Sequence, residues 1–587
     1  MALIDPAYPR PDFVRRDWLS LNGTWEYSFV ETAQPEEVSW QGTIRVPYPP
    51  EAPLSGVDDP AFHPVVWYRR KFTVPSIWRN QKLRLNFGAV DYFAQVWVNG
   101  HLVAEHEGGH TPFSAEISGT LLDDVQTLVV RAFDEPSDME KPRGKQDWQL
   151  EPHAIWYPRT SGIWQPVWLE PISQASIAHI HLIPDVQRFE IQMEVDFEAP
   201  GDTFSAGYAL EVKLNLDENE LASESWEIKQ PRARFRLPVF RPKTAAAREA
   251  LLWRPENPVL FDLTLTLRAA GVILDRVESY VALREISTCD GQFFLNGKPY
   301  FLQMVLDQGY WPESHLAAPD PEALRRDVEL TKALGFNGVR KHQKIEDPRY
   351  LYWADRLGLL VWGELPSAYR FSMESIRRLT LELISMIERD YNHPSLVAWV
   401  PFNESWGIPD VPRSDSQRYL SQSLYTLAKA LDPTRLVVDN DGWEHGDTDL
   451  FTVHDYENKP DLYAWRYGTP EGFQAALNRQ DVEHHLALPG YIPNGQPVIL
   501  SEFGGMRLGM GKGWGYQQVE SEEEFLSRLY PLMLSAFGKR LAGFCYTQLT
   551  DTFQEQNGLL YADRRPKVDP KLIAEIQREG LRQRQEG

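Results

Sequence analysis

The sequence predicts a multidomain protein with an N-terminal jelly-roll β-sandwich, an immunoglobulin-like β-sandwich and a C-terminal (β/α)8 TIM barrel. Three observations support this fold class. The chain has 587 residues, more than a single hydrophobic core usually organises. Short runs that alternate apolar and polar residues continue to about residue 285, as in half-buried strands. After about residue 290, strand-length apolar runs alternate with helical patterns.

The first predicted domain covers residues 1–170 and has the pattern of an all-β fold. Lys82–Phe87 and Ala94–Val98 alternate apolar and polar residues. Asn99-Gly100 follows the second of these runs, and this pair favours a two-residue hairpin turn because both residues tolerate positive φ. Several short strands joined in this way predict a jelly-roll sandwich.

Residues 171–285 form the second predicted domain, which is also built from strands. Phe189–Phe197 and Tyr208–Leu216 alternate cleanly, and at least six short strands fit within roughly 110 residues. This density indicates an immunoglobulin-like sandwich. The Cys-Trp-Cys pattern of antibody domains is absent, so only the architecture is implied.

Residues 286–587 carry the pattern of the barrel. Asp320-Pro321 predicts a helix start, because Asp caps a helix and Pro fits its first turn. A doubly wound open sheet would usually show a Gly-rich phosphate-binding turn after its first strand, and none is visible. The eight predicted strands are Tyr300–Leu306, Gly338–His342, Leu359–Glu364, Leu396–Glu404, Arg435–Asp439, Leu450–Asp455, Pro497–Glu502 and Ala542–Gln548.

Composition restricts the partners and the location of the protein. The formal net charge of −23 argues against nucleic acid and anionic membranes as partners, because both attract basic surfaces. No apolar run of about 18 residues and no signal-peptide pattern is visible, so we expect no membrane span and a cytoplasmic location. Only two cysteines are present, which excludes a disulfide framework but not a single bridge.

Two glutamates mark the candidate site. Glu404 ends the fourth predicted barrel strand and Glu502 ends the seventh. Active sites of such barrels lie at the carboxyl ends of the strands, and these two strands lie roughly across the barrel from each other. A pair of carboxyl groups facing one bond is the arrangement of glycoside hydrolysis. The alternative is two rim charges paired with lysine or arginine.

Five stretches, in this order along the chain, resemble glycoside hydrolase family 2, the family of β-galactosidases, β-glucuronidases and β-mannosidases. The resemblance covers nearly the whole chain, and it implies a sugar-binding domain, an immunoglobulin-like domain and a catalytic barrel. The stretches are Ser161–Glu170, Leu252–Leu260, Asp290–Pro299, Asn403-Glu404 and Ser501–Gly504.

The resemblance also implies roles for residues. Glu404 matches the general acid/base and Glu502 the nucleophile. Asn403 matches a residue that hydrogen-bonds the sugar 2-hydroxyl, and Arg340 an arginine beside the nucleophile. This chemistry requires no metal and no organic cofactor, and we expect none. Further candidates for substrate contact lie at the other strand ends, where packing is an equally valid reading; they are Asp307, Trp311, Trp406, Trp443, His454 and Tyr456.

The sequence departs from the family pattern at the positions that select the sugar. Gln343 stands where several β-galactosidases have a sugar-contacting histidine, and the Asn-x-Lys pair of β-glucuronidases is not evident near Gln556. Lys341 or Lys344 is a candidate cation for an acidic sugar, although a solvated surface lysine is the favoured interpretation of each. The Gln343 position argues against β-galactosidase specificity. From the family resemblance as a whole, we still expect a retaining exo-β-glycosidase, with β-galactosidase-like specificity as the leading hypothesis and a β-uronidase as the alternative. Mannose and arabinose configurations stay open.

Two hypotheses of other kinds remain at this point: an inverting barrel hydrolase, and a non-catalytic carbohydrate-binding protein. The expected partner is an oligosaccharide or glycoside substrate. A homo-oligomer, dimer or tetramer, is also expected, because such assemblies are common among the proteins this chain resembles.

Overall fold

The fold is described from a computed structural model, in which residues 5–79, 81–202, 207–478, 484–491 and 493–586 are described. Two β-sandwiches are followed by a barrel of parallel strands. The three units have separate hydrophobic cores. This architecture confirms the predicted fold class.

The first sandwich packs two antiparallel sheets. A six-stranded sheet has the order β3-β2-β4-β10-β7-β8 and a four-stranded sheet the order β1-β12-β5-β9, while β6 and β11 form a small separate pair. The alternating apolar residues of the strands meet between the sheets, as in Leu85 and Val96. The strands are β1 (Leu19–Ser20), β2 (Gly23–Ser28), β3 (Gly42–Val46), β4 (Val65–Thr73), β5 (Lys82–Phe87), β6 (Val90–Asp91), β7 (Phe93–Val98), β8 (His101–Glu107), β9 (Phe113–Glu116), β10 (Val125–Phe133), β11 (Gly162–Ile163) and β12 (Val167–Ile172).

The predicted hairpin turn is present. Asn99 and Gly100 join the paired strands β7 and β8, with φ of 51° and 83°. These left-handed values are the ones that a type I′ turn requires at both central positions. The Asn-Gly prediction is confirmed.

The second sandwich has three strands on one sheet, β13-β14-β17, and four on the other, β16-β15-β18-β19. This count suits an immunoglobulin-like fold and confirms that prediction. One short helix, α1 (Ala245–Glu249), connects β17 to β18. The strands are β13 (Ser176–Asp185), β14 (Glu190–Glu198), β15 (Tyr208–Leu216), β16 (Asn219–Glu227), β17 (Arg232–Pro238), β18 (Phe261–Ala269) and β19 (Val272–Val281).

The N-terminal segment crosses from one sandwich to the other. Phe13 packs in the core of the second sandwich. Arg15 donates to Asp275 on β19 from Nε at 3.1 Å and from Nη2 at 2.8 Å. Phe13 and Arg15 therefore contact the second sandwich although they precede the first strand of the first sandwich, a contact that local sequence patterns do not encode. We keep the predicted limits of 1–170, 171–285 and 286–587 as a proposal for the domains.

The barrel strands form one curled sheet of eight parallel strands, with the order β27-β26-β25-β24-β23-β32-β29-β28. Every predicted barrel strand is present, with ends shifted by at most four residues. Three short strands precede the barrel, and β30 and β31 pair beside it. The strands are β20 (Ile286–Cys289), β21 (Gln292–Leu295), β22 (Lys298–Pro299), β23 (Leu302–Asp307), β24 (Gly338–Lys341), β25 (Leu360–Glu364), β26 (Leu396–Val400), β27 (Leu436–Val437), β28 (Phe451–His454), β29 (Val498–Gly504), β30 (Met506–Leu508), β31 (Gln517–Val519) and β32 (Gly543–Thr547).

Helices cover the outside of the barrel sheet through amphipathic faces. In the first of them, Asp320 accepts a hydrogen bond from the Ala323 amide at 2.9 Å and Pro321 occupies the first turn, as predicted. The helices are α2 (Pro321–Ala333), α3 (Pro348–Leu357), α4 (Met373–Asp390), α5 (Asp415–Leu431), α6 (Pro460–Gly468), α7 (Pro470–Leu477), α8 (Glu522–Ser535) and α9 (Pro570–Glu586).

Two predictions from composition bear on the fold as a whole. Across the described ranges, every helix is too short or too polar to cross a lipid bilayer. Cys289 is exposed and Cys545 is buried in the barrel, and both are free thiols. The single disulfide bridge that the sequence allowed is therefore not formed.

Candidate active site

The two predicted catalytic glutamates meet in one cavity at the carboxyl ends of the barrel strands. One carboxylate oxygen of Glu404 and one of Glu502 lie within 4.8 Å of each other, together with a ring nitrogen of His454. Both glutamates line the same cavity. The shared position follows from the parallel strands, whose carboxyl ends open on one rim.

Glu404 is reached by a tight turn and not by the end of a strand. Strand β26 stops at Val400, so the predicted strand end at Glu404 is wrong by four residues. Glu404 and Ser405 both have positive φ, 51° and 58°. The turn is held by the Glu404 amide, which donates to the Asp441 carbonyl at 2.9 Å. Positive φ at two consecutive residues that are not glycine costs free energy, and such strain is common at functional sites.

Glu502 lies inside β29 and is held by donors on both oxygens. Arg340 donates to Oε1 at 3.0 Å and the Tyr456 hydroxyl donates to Oε2 at 2.6 Å. Burial raises the pKa of Glu502, but the charges of His454 and Arg340 outweigh it and hold this pKa below the usual value. Glu502 is therefore ionised at neutral pH, the form that a nucleophile needs.

His454 bridges the two glutamates and a third carboxylate. Its Nδ1 lies 2.6 Å from Glu404 Oε1, and its Nε2 lies 2.7 Å from Asp441 Oδ2 and 3.4 Å from Glu502 Oε1. Burial lowers the pKa of His454, but Glu502 and Asp441 outweigh it and raise the pKa to about 10. Both ring nitrogens are then protonated and donate, so His454 has no lone pair to give a metal ion. These donors suit hydrogen bonding better than metal coordination.

Arg340 is the buried cation that connects the strand ends. Its Nε donates to Glu364 Oε2 at 2.7 Å, and its Nη2 donates to Asn403 Oδ1 at 2.6 Å. Its Nη1 forms a close ion pair with Asp441. Arg340 therefore holds the Asn403 side chain by donating to its amide oxygen, Oδ1. The buried Asn403 Nδ2 has no hydrogen-bond partner among the described residues, so a donor is left for a ligand.

The walls of the cavity come from several strands and from the first sandwich. Tyr456 stacks on Tyr516 with ring centroids 3.6 Å apart and an interplanar angle of 11°. Trp406 lies against Tyr369 at 5.7 Å. The remaining lining residues are Lys145, Ile155, Leu306, Gln308, His342, Asn403, Thr547 and Glu555. Lys145 and Ile155 belong to the long connection between β10 and β11 of the first sandwich.

Of the ten predicted site residues, the cavity brings together Glu404, Glu502, Asn403, Tyr456 and Trp406, with Arg340 and His454 hydrogen-bonded behind them. Asp307, Trp311 and Trp443 do not line it, and their contact with substrate stays a prediction. Asp307 pairs with Lys341 at 2.6 Å. Trp443 stacks on His484 at 4.5 Å.

The two lysines proposed as cations for an acidic sugar lie in a separate buried cluster. Lys341 and Lys344 both pair with Glu346, at 2.7 Å and 2.8 Å. Lys344 also lies 5.1 Å from the ring of Trp311. Neither ammonium group lines the cavity, so that suggestion is corrected.

Three functional candidates were missed by sequence reasoning. Asp441 lies four residues beyond the end of β27, and an acidic residue just past a barrel strand was a usable signal. Tyr516 and Lys145 carried no such signal. Tyr516 is brought in by its stacking on Tyr456, and Lys145 by the docking of the first sandwich on the barrel.

Comparison with protein families gives three matches in the same order along the chain. The family model described as "Glycosyl hydrolases family 2, sugar binding domain" matches residues 43–169. The one described as "Glycosyl hydrolases family 2" matches residues 175–284. The one described as "Glycosyl hydrolases family 2, TIM barrel domain" matches residues 286–578. Together these matches cover both sandwiches and the barrel.

Individual relatives are distant. The chain is 27% identical to a β-glucuronidase of Felis catus over 85% of this chain and 79% of that protein. It is 29% identical to a β-galactosidase of Thermoanaerobacter pseudethanolicus over 58% of this chain and 45% of that protein. The chain spans about half the length of the first curated relatives it matches. A crystal structure of a β-galacturonidase from Eisenbergiella tayi shares the fold, with a TM-score of 0.75, 21% identity, and coverage of 97% of this chain and 98% of that chain.

Proposed function

Because the chain belongs to glycoside hydrolase family 2, we propose that it is a retaining exo-β-glycosidase that removes terminal β-linked sugars, with Glu502 as nucleophile and Glu404 as general acid/base. The relatives named above are β-glucuronidases and β-galactosidases. This supports hydrolysis of a terminal β-linked sugar. The substrate is a glycoside or oligosaccharide.

The observation that carries this proposal is the separation of the two carboxyl groups. Their nearest oxygens lie within 4.8 Å in one cavity. Retaining enzymes place the two carboxyl groups about 5–5.5 Å apart, whereas inverting enzymes need about 6.5–9.5 Å to admit a water molecule. The distance supports retention over inversion.

In the first step, Glu502 attacks the anomeric carbon while Glu404 donates its proton to the glycosidic oxygen, which leaves as the aglycone alcohol. The bond from the anomeric carbon to the leaving oxygen breaks as the bond to Glu502 forms. Arg340 and the Tyr456 hydroxyl keep Glu502 ionised and oriented before the attack. The unpartnered Nδ2 of Asn403 is placed to donate to a sugar hydroxyl.

In the second step, Glu404 removes a proton from water, and the water oxygen attacks the anomeric carbon of the glycosyl-enzyme. The bond to Glu502 breaks, and the sugar is released with its original anomeric configuration. Formation of the glycosyl ester removes the negative charge of Glu502, which lies close to Glu404. The like charge beside Glu404 is therefore gone before the second step, in which Glu404 acts as the base.

The test is a panel of 4-nitrophenyl β-glycosides with galactose, glucuronic acid, galacturonic acid, mannose and arabinose as the sugar. Glu404→Gln and Glu502→Gln should each lower turnover by at least about 10²-fold, the low end for loss of a positioned proton donor. Glu457→Gln is the matched control, because Glu457 follows Tyr456 in the chain but does not line the cavity. Near-normal turnover in both active-site variants would contradict the assignment.

A time course by NMR tests retention separately. The β-anomer of the free sugar should appear first and then mutarotate. Release of the α-anomer first would establish inversion and overturn the nucleophilic role of Glu502, while leaving glycoside hydrolysis intact.

A further inference from the structure

Lys145 is a buried cation in the catalytic cavity without an anionic partner. Its side chain lines the cavity beside Glu404 and Trp406, and the residue is only 4% exposed. No carboxylate among the described residues forms an ion pair with its ammonium group, and no described residue accepts a hydrogen bond from it. Buried charges are normally paired, so an unpaired one beside a reaction centre requires an explanation.

The carboxylates of the cavity are already satisfied by other donors. Glu404 is hydrogen-bonded to His454. Glu502 accepts hydrogen bonds from Arg340 and from the Tyr456 hydroxyl. Glu555 accepts from the Tyr157 hydroxyl at 2.6 Å and from Asn557 at 3.0 Å. The carboxylates around the cavity therefore have hydrogen-bond partners other than Lys145, and its positive charge is not neutralised by them.

Aromatic faces position the ammonium group without neutralising it. The Lys145 Nζ lies 5.2 Å from the ring centroid of Trp406 and 5.5 Å from that of Tyr157. These distances are within the range of cation–π attraction, which stabilises a cation and leaves its charge available to an anion. Trp406 lines the cavity as well, so the cation faces the space in which a ligand binds.

The loop that carries Lys145 is fixed to the barrel. The amides of Arg143 and Gly144 both donate to the Ser367 carbonyl at 3.1 Å, and the Tyr369 hydroxyl donates to the Gly144 carbonyl at 2.8 Å. Gly144 has φ of +57°, and a Cβ there would lie 2.3 Å from the carbonyl oxygen of Gln343. Only glycine allows so close an approach, so the position of Lys145 is set by the docking of the first sandwich.

We propose that Lys145 binds the carboxylate of a uronic acid, so that the sugar hydrolysed by this protein is a β-linked uronic acid and not its neutral counterpart. The inference rests on the proposed hydrolysis at Glu404 and Glu502. A sugar bound with its anomeric carbon between these glutamates brings only one anionic group of its own, the carboxylate at C6. Lysine suits this contact as a compact point charge.

The experiment compares substrates that differ only at C6. The pairs are 4-nitrophenyl β-glucuronide with β-glucoside, and β-galacturonide with β-galactoside, each with the full-length chain at neutral pH. The aglycone is uncharged and identical within a pair, so any preference arises from the sugar. For the configuration that is hydrolysed, the uronide should have a kcat/KM roughly 10- to 10²-fold above that of its neutral partner. This factor is the conversion of the roughly 1.5–3 kcal/mol that a hydrogen bond to a charged group contributes, at about 1.4 kcal/mol per factor of ten.

Lys145→Met should lower the ratio of the two kcat/KM values roughly 10- to 10²-fold, and Lys145→Arg should restore part of it. Lys459→Met removes a lysine that is exposed and does not line the cavity, and it should keep the wild-type ratio. An unchanged ratio in Lys145→Met, or a neutral sugar preferred by the wild type, would overturn the proposal. Thermal melting checks that each variant is folded.

Direct binding separates failure of this inference from failure of the proposed function. Free glucuronate and galacturonate are titrated against glucose and galactose by calorimetry, with wild type and Lys145→Met. Binding of a uronate that disappears in Lys145→Met supports the role of Lys145 even if no glycoside is hydrolysed. Hydrolysis of a neutral glycoside without uronate binding would leave the proposed function standing and remove this inference.

Discussion

Glu382 is a buried carboxyl group at the contact between helix α4 and the first sandwich, and its replacement by glutamine should stabilise the protein at alkaline pH. The residue is 3% exposed, and its Oε1 accepts from the His110 amide at 3.0 Å. Burial, reinforced by the charge of Asp91, raises the pKa of Glu382 to about 8 from an ordinary value of 4.5. Its carboxyl is therefore neutral in the folded protein over a pH range in which it is ionised in the unfolded chain.

The sign and size of the effect on the free energy of unfolding follow from this difference in pKa between the folded and unfolded states. A group with a raised pKa in the folded state contributes its full stability below the unfolded pKa of 4.5 and loses it as the pH rises to about 8. At about 1.36 kcal/mol per pH unit, this range costs up to about 5 kcal/mol. Glutamine keeps an acceptor for His110 and cannot ionise. We expect Glu382→Gln to recover about 2 kcal/mol or more above pH 8 and almost nothing near pH 4.5.

The assay is thermal unfolding of wild type and Glu382→Gln at pH 4.5, 7 and 8.5. The melting temperature of the variant should exceed that of the wild type increasingly as the pH rises. Glu374→Gln, on the same helix, is the control, because Glu374 is 39% exposed and pairs with Arg377. It should show no such gain. An equal gain at all three pH values, or a loss at pH 8.5, would refute the reasoning.

Three further predictions concern the site. Arg340→Met should lower the free energy of unfolding by about 3–5 kcal/mol, because Glu364 and Glu502 lose a buried partner. Denaturant unfolding followed by tryptophan fluorescence measures this free energy. Unchanged stability would contradict the prediction. His454→Gln should move the acidic limb of the plot of kcat/KM against pH to higher pH, because the imidazolium charge helps hold the pKa of Glu502 below 4.5. An acidic limb at the wild-type pH would show that His454 does not control the ionisation of Glu502. Gly144→Ala should lower both the melting temperature and kcat/KM, because the added Cβ meets the Gln343 carbonyl oxygen; wild-type values for both would exclude this close contact.

Much of the fold could be predicted because its signals are local. The Asn99-Gly100 turn, the cap at Asp320 and the apolar barrel strands are each specified by a few neighbouring residues. The path of the N-terminal segment could not be predicted. The pairing of Arg15 with Asp275 joins residues 260 positions apart, and no periodicity records such a contact.

The site was predictable where function depends on strand ends. Glu502, Arg340 and His454 lie on barrel strands, so counting strands places them on one rim. The turn at Glu404 was not predictable, since its positive φ depends on the hydrogen bond to the neighbouring Asp441 carbonyl. Lys341 and Lys344 illustrate the opposite error. They are near the site in sequence, but Glu346 holds them in another cluster.

The docking of the loop around Gly144 on the barrel has a consequence for modular exchange of these units. The cavity is formed by two units with different sequence patterns, since Lys145 and Ile155 of the first sandwich complete a wall that barrel residues form in part. A barrel cut away from its sandwich would keep both glutamates and lose part of the cavity wall. Transplanting the barrel onto a foreign sandwich would therefore transfer Glu404 and Glu502, the proposed catalytic pair, without Lys145, the proposed contact for the substrate carboxylate.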